Sequence, residues 1–152
     1  SEELTIVLDR VQDPGNLGTI IRSATAFDFD TLILSDDTVD LYNPKVIRST
    51  QGMLFNIGIK RSNIKEEIQK LKDKDYLILG TKVSGGTNVK TYTVNKKFAL
   101  VIGNEGQGIS SEILDLCEDY LYIKMSNKCE SLNAGVAASI LMYELGENNE
   151  VH

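Results

Sequence analysis

Apolar residues fall in this chain in short unbroken runs, with helical spacing in the stretches between them. The runs are LTIVLD (Leu4–Asp9), TLILS (Thr31–Ser35), YLILG (Tyr76–Gly80), FALVIG (Phe98–Gly103) and YLYI (Tyr120–Ile123), with a weaker FNIGIK (Phe55–Lys60). They are apolar at successive positions, not alternate ones, which predicts strands covered on both faces, as in a parallel sheet. Between them, Leu17, Ile20, Ile21, Ala24 and Phe27 recur at i, i+3, i+4, i+7 spacing, and Ile64, Ile68 and Leu71 do the same in a charged segment. About six strands alternating with helices predict an α/β domain, a mostly parallel sheet with helices on both faces. No repeat, low-complexity tract or Pro-rich linker interrupts the pattern. Residues 1–152 therefore read as a single domain, and a first strand at Leu4 leaves no RNA-binding domain ahead of it in this chain.

The last helical stretch, SLNAGVAASILMYEL (Ser131–Leu145), is apolar or small nearly all the way round. Such a helix is either central to the core or covered by a partner, so a core helix and a subunit interface are both open. Ala134, Gly135, Ala137 and Ala138 would let another backbone approach closely.

Composition narrows the class. Of 152 residues, 41% are hydrophobic and 25% charged, as in a soluble globular protein. No apolar run nears the roughly 20 residues that span a bilayer, and SEELTIVLDR lacks the segments of a signal peptide. Cys117 and Cys129 have no CxxC spacing and read as idle thiols in a reducing cytoplasm. The only histidine is His152, which argues against a zinc site and removes His-based triads. The net charge of −6, from 22 acids and 16 bases, argues against gripping nucleic acid by bulk charge but leaves room for a local basic patch.

Three loops follow predicted strands and carry the chemistry. GNEGQG, Gly103 to Gly108, has the glycine order G-x-x-G-x-G, which is neither the dinucleotide fingerprint nor a P-loop. It is a glycine turn at the carboxyl end of a buried strand, where open α/β sheets bind ligands; a purely structural loop is the alternative. DPGNLG follows the first strand, with Asn16 placed as a helix cap. YIKMSNKCESLNAG follows the last, with Ser131 or Glu130 as the cap of the apolar helix. Three such loops at strand ends predict one shared cleft. Arg22 lies about 170° round its helix from the apolar stripe, off the core, so it is either a solvated arginine or a functional one.

DPGNLGTIIRSATAF, LVIGNEGQGIS and IKMSNKCESLNAGVAASI resemble, in order, motifs 1, 2 and 3 of the SpoU-type (TrmH-like) SPOUT RNA 2′-O-ribose methyltransferases. KVIRSTQGMLF resembles a further family segment between motifs 1 and 2. The likeness spans Leu4 to about Leu145. It implies an α/β fold with a deep C-terminal trefoil knot. It implies S-adenosylmethionine (SAM) as methyl donor with no metal, ribosomal or transfer RNA as substrate, and a homodimer joined through the knot region and the C-terminal helix.

Carried over by position, Asn16 and Arg22 match the polar pair of motif 1. Arg22 stands where the family has the arginine that helps draw off the 2′-hydroxyl proton. Gly103, Glu105 and Gly108 match motif 2, with Gly103 facing the cofactor and Glu105 organising the site. Ile123, Met125 and Leu132 match the SAM-pocket lining, with Thr81 beside the cofactor. Ser131 and Asn133 match the motif 3 polar pair near the reaction centre, Ser131 also touching cofactor. Arg22 and Arg48 are RNA contacts on this reading, and Arg10, a base near the proposed loops, is a further candidate contact. Where the family commonly has proline, glycine, valine and serine at 124, 127, 134 and 135, this chain has Lys124, Asn127, Ala134 and Gly135. Asn127 tolerates the left-handed backbone that glycine supplies. The alternatives to a methyltransferase are a non-catalytic SAM- or RNA-binding module of the same fold and a nicotinamide or nucleotide enzyme, whose glycine order GNEGQG does not fit.

Overall fold

The computed structural model describes residues 4–83, 85–128 and 131–147. Cys129, Glu130 and His152 lie outside them.

One seven-stranded sheet runs in the order β3-β2-β1-β6-β4-β7-β5, and every recorded strand pair is parallel. The strands are β1 (Leu4–Leu8), β2 (Thr31–Leu34), β3 (Gly58–Arg61), β4 (Leu77–Thr81), β5 (Thr87–Asn88), β6 (Phe98–Ile102) and β7 (Asp119–Tyr122). The helices are α1 (Pro14–Ala26), α2 (Pro44–Thr50), α3 (Ile64–Asp73), α4 (Ser111–Leu114) and α5 (Ala134–Glu147).

The unbroken apolar runs have the origin their pattern predicts. In β1, Leu4, Ile6 and Leu8 join one apolar cluster while Val7 joins a second on the opposite face. β6 divides likewise, with Phe98, Leu100 and Ile102 on one side and Ala99 and Val101 on the other. The first cluster takes in Leu17, Ile20, Ile21 and Ala24 of α1 and Ala138, Leu141, Met142 and Leu145 of α5. The second takes in Ile64 and Ile68 of α3 and Ile113 of α4. Burying both faces removes any reason for polar residues to alternate.

Two strand expectations need correction. The sheet has seven strands, not about six: β5 is a two-residue strand on β7, too short to leave a hydrophobic signature. In FNIGIK, Phe55 and Asn56 belong to a 3-10 turn, Met53–Asn56, and the strand begins at Gly58.

Two cap expectations also move. Asp13, not Asn16, caps α1: its Oδ1 accepts the N–H groups of Gly15 (2.8 Å) and Asn16 (3.1 Å). Pro14 opens the helix at its first position, so the residue before it, Asp13, is the one placed to cap, and Asn16 lies inside the first turn. Asn133, not Ser131, caps α5, accepting from Gly135 (2.9 Å) and Val136 (3.2 Å). Both reassignments place the cap directly before the first helical residue.

α1 packs against both α2 and α5. Gly18 sets the approach to α2, because a Cβ there would fall 2.2 Å from Ser49 Cβ. The α5 contact is held by a Ser23–Ser139 hydroxyl pair and an edge-on Phe27–Tyr143 ring contact. α5 is therefore only half a core helix. Val136 is 45% exposed, and Tyr143, at the edge of the α1 contact, is 49% exposed. No helix among the described residues is long and apolar enough to cross a membrane.

Candidate active site

The carboxyl ends of β4, β6 and β7 open into a cavity of about 340 Å³. All seven residues expected at a cofactor line it: Thr81, Gly103, Gly108, Ile123, Met125, Ser131 and Leu132. Thr81, Gly103, Ile123 and Met125 stand at or just past strand ends, Gly108 closes the turn after β6, and Ser131 and Leu132 come just before α5. An adjoining hollow is lined by Gln12, Asp13, Asn16, Glu105, Leu132, Asn133 and Ala134. Glu105, Leu132 and Ala134 line both, so the three predicted loops do share one cleft.

The shape of GNEGQG explains its glycines. Asn104 and Gly108 pair backbone to backbone in both directions, at 3.0 and 2.9 Å. The Asn104 Oδ1 inside accepts the N–H groups of Gly106 (2.9 Å) and Gln107 (3.0 Å). Closing the turn folds Gly108 and Ile109 back over Gly103, where a Cβ would meet backbone atoms at 2.3 Å. Gly108 has φ of +73°, the left-handed region that glycine enters without a steric penalty.

Glu105 leaves this turn to reach the loop after β1. Its carboxylate accepts the N–H of Asp13 (2.8 Å), the N–H of Gln12 (3.1 and 3.2 Å) and the Asn16 Nδ2 (3.4 Å). Partial burial opposes its ionisation. The Asp13 and Gln12 N–H groups, then the Asn16 amide, outweigh that, and its pKa is lowered from the ordinary carboxylate value.

Asn16, 6% exposed, also accepts the Gly135 N–H at 3.3 Å. The glycine at 135, where the resemblance leads one to expect serine, sits in a tight place. A Cβ there would sit 3.1 Å from Asn16 Oδ1, 3.2 Å from Asn133 Oδ1 and 3.2 Å from Thr19 Cβ. Among the small residues of α5, Gly135 lets α1 approach, while Ala134, Ala137 and Ala138 leave room for the cavity.

Three expected site residues stand apart from the cleft. Arg22 is exposed on α1, lines neither hollow and has no hydrogen-bond or ion-pair partner among the described residues. Arg48 is likewise exposed, in the last turn of α2. Arg10 is engaged: its guanidinium donates to Asp9, Gln107 and Gly108.

Sequence reasoning missed Asn104 as the internal organiser of its turn, and the cavity wall formed by Ala137 and Leu141. The i, i+4 spacing of that pair was the available signal, and it does not distinguish a cavity wall from core. Cys117 is half-buried, and burial pushes its thiol up to about 12, which makes it unreactive at neutral pH. No cluster of His, Cys, Asp and Glu able to hold a metal occurs among the described residues.

The model of the SpoU rRNA Methylase family matches residues 3–143. The chain is 40% identical over 140 residues to the 23S rRNA (guanosine(2553)-2′-O)-methyltransferase RlmP of Bacillus subtilis, covering 92% of this chain and 56% of that protein. It thus spans little more than half of that relative. The SpoU methyltransferase AviRb of Streptomyces viridochromogenes, solved with AdoMet, superposes with a TM-score of 0.89 at 32% identity, over 96% of this chain and 60% of that one. An AdoMet-bound rRNA methyltransferase from Sinorhizobium meliloti superposes with a TM-score of 0.85 at 32% identity, over 95% and 56%.

Proposed function

The chain belongs to the SpoU rRNA methylase family, and on that premise we propose that it transfers a methyl group from SAM to a ribose 2′-hydroxyl of ribosomal or transfer RNA. The observation that carries this reading is the pairing of two hollows. A largely apolar cavity lies at the strand ends, and a polar hollow with Asn16, Glu105 and Asn133 adjoins it.

The inner cavity suits SAM. Ile102, Ile123, Leu132 and Leu141 offer apolar walls for a flat base, and the turn from Gly103 to Gly108 brings backbone polar groups to the rim. When bound there, SAM supplies an already activated sulfonium methyl. The protein must then align the hydroxyl and assist loss of its proton, since a ribose hydroxyl is a weak nucleophile. Glu105 acts by fixing the loop from Gln12 to Asn16 against its own turn. Asn16 and Asn133 fix the start of α5, which carries part of the cavity wall. Arg22 acts electrostatically, through its guanidinium, on the developing alkoxide.

Since Arg22 lines neither hollow of its own chain, we propose a homodimer in which a second copy covers the exposed side of α5 and the adjoining face of α1. Exposed Val136 and Tyr143 support that contact. The C-terminal trefoil knot belongs to the same proposal. It is supported by the placement of β7 two strands from β6, beyond β4, while α5, which follows β7 in the chain, packs on α1. RNA is met through Arg22 and Arg48, in the cytoplasm, by residues 1–152 acting as one methyltransferase domain.

Calorimetry with SAM and S-adenosylhomocysteine, followed by mapping of 2′-O-methyl sites in RNA from cells with and without the protein, tests the reading. Binding together with the loss of a defined ribose methylation is expected. Binding without any methyl transfer would favour a non-catalytic module, and absence of binding would end the proposal.

A further inference from the structure

Arg10 was expected among the RNA contacts, yet its polar groups point to other work. Its Nη1 donates to Gln107 Oε1 at 2.7 Å and its Nη2 to the Gly108 carbonyl at 2.9 Å. Its Nε donates to Asp9 Oδ1 at 3.1 Å. Asp9 is 3% exposed and also accepts the Ser110 N–H at 2.7 Å, just beyond the turn. The backbone of Arg10 is held as well. Its N–H donates to Ser35 Oγ at 2.9 Å, and its carbonyl accepts Asn104 Nδ2 at 2.8 Å. Its φ of +63° is the left-handed region, uncommon for a residue with a Cβ, so the chain turns there under constraint.

Together with Glu105 this makes an exchange in both directions. The turn from Gly103 to Gly108 sends a carboxylate to the N–H groups of Gln12 and Asp13. The segment after β1 sends a guanidinium back to the carbonyl of Gly108 and the side chain of Gln107. Both are charge-assisted bonds, the stronger kind. A turn with glycine at 103, 106 and 108 has unusual backbone freedom to lose, and ligand affinity falls when a binding loop must be ordered on binding. Arg10 itself does not line the cavity.

We propose that Arg10 is a positioning residue, one half of a reciprocal clasp with Glu105 that holds the turn from Gly103 to Gly108 in its SAM-binding shape. The proposal rests on the reading of the cavity as a SAM site. A planar fork is required, because one ammonium cannot serve Asp9, Gln107 and Gly108 from their separate directions.

The test compares wild type with Arg10→Lys and Gln107→Ala. The three readouts are SAM affinity by calorimetry, amide hydrogen exchange in the ligand-free protein, and gel shifts with transcribed 23S ribosomal RNA. Arg10→Lys keeps the charge beside buried Asp9 and so protects folding. It is expected to bind SAM about tenfold more weakly, the loss of one to two charged hydrogen bonds. The amides of Gly106, Gln107 and Gly108 are expected to exchange faster while those of α3 keep their wild-type rates. Gln107→Ala should shift the same amides by less. Unchanged SAM affinity and turn exchange in Arg10→Lys would overturn the clasp. So would faster exchange throughout the chain, which marks a general structural role, and so would weaker RNA binding with SAM affinity intact, which marks an RNA contact. If wild type itself binds no SAM, the cavity reading fails, while exchange in the ligand-free turn still decides whether Arg10 clasps it.

Discussion

Asn16 joins Glu105 to Gly135: its Nδ2 donates to the Glu105 carboxylate at 3.4 Å, and its Oδ1 accepts the Gly135 N–H at 3.3 Å. One amide thereby ties the loop after β1 to the turn after β6 and to the start of α5. Only a side chain with a donor and an acceptor serves both. Asn16→Ala is expected to lower methyl transfer roughly tenfold. Asn16→Asp should lower it further, since it loses the donor and sets a second carboxylate beside Glu105. Equal activity of the two variants in a methyl-transfer assay would contradict this role.

Glu105 ties the cleft to pH. Its folded pKa is depressed below the ordinary 4.5, so its contribution to stability is complete above that value and is lost as pH falls through the folded pKa. Glu105→Gln should therefore melt below wild type at neutral pH. The gap should close as pH falls below the ordinary carboxylate range, when wild type loses the same charge. Thermal midpoints of both proteins between neutral and strongly acidic pH check this; a gap that widens in acid would reverse the sign and refute it.

The glycines of the turn are not equivalent. A Cβ at Gly103 would lie 2.3 Å from backbone atoms of Gly108 and Ile109, whereas at Gly106 its nearest neighbour is Asn104 Oδ1 at 3.7 Å. Gly103→Ala is expected to abolish SAM binding, because backbone on both sides of the clash must shift. Gly106→Ala should bind within about threefold of wild type, an ordinary surface change. Calorimetry on the two variants decides the matter.

Arg22 is exposed and has no hydrogen-bond or ion-pair partner among the described residues, so its removal should leave the fold untouched. Arg22→Ala is expected to lower methyl transfer by roughly 10²–10⁴-fold, the range for a group assisting proton transfer, with an unchanged thermal midpoint. A variant that unfolds, or one that transfers methyl at the wild-type rate, would remove Arg22 from the mechanism.

The uncovered side of α5 makes a prediction about assembly. Val136→Glu combined with Tyr143→Glu puts charge on the exposed residues of α5; it removes the Phe27–Tyr143 ring contact but leaves the buried Leu141, Met142 and Leu145 in place. Light scattering at micromolar concentration should show a dimer for wild type and a monomer for the double variant. A wild-type monomer would end the dimer proposal, and with it the account of Arg22.

The sequence by itself determined the elements and the inventory of the cleft. Unbroken apolar runs marked strands buried on both faces, because a sheet covered by helices on each side tolerates no polar alternation. The stripe from Leu17 to Ala24 marked the buried face of α1 for the same reason, and it left Arg22 outside. The seven residues that line the cavity were named through the resemblance to the family motifs; the strand pattern alone marked only the loops that carry most of them. Tertiary structure alone decided which groups pair. The two-residue β5 exists only because β7 offers it an edge. Asp13 displaced Asn16 as the cap, which left Asn16 free to link Glu105 with Gly135. Arg10, expected from sequence as a contact for RNA, donates to Gln107 and the carbonyl of Gly108. Those partners lie nearly a hundred residues away along the chain, and no local pattern of polarity records a hydrogen bond that only folding brings together.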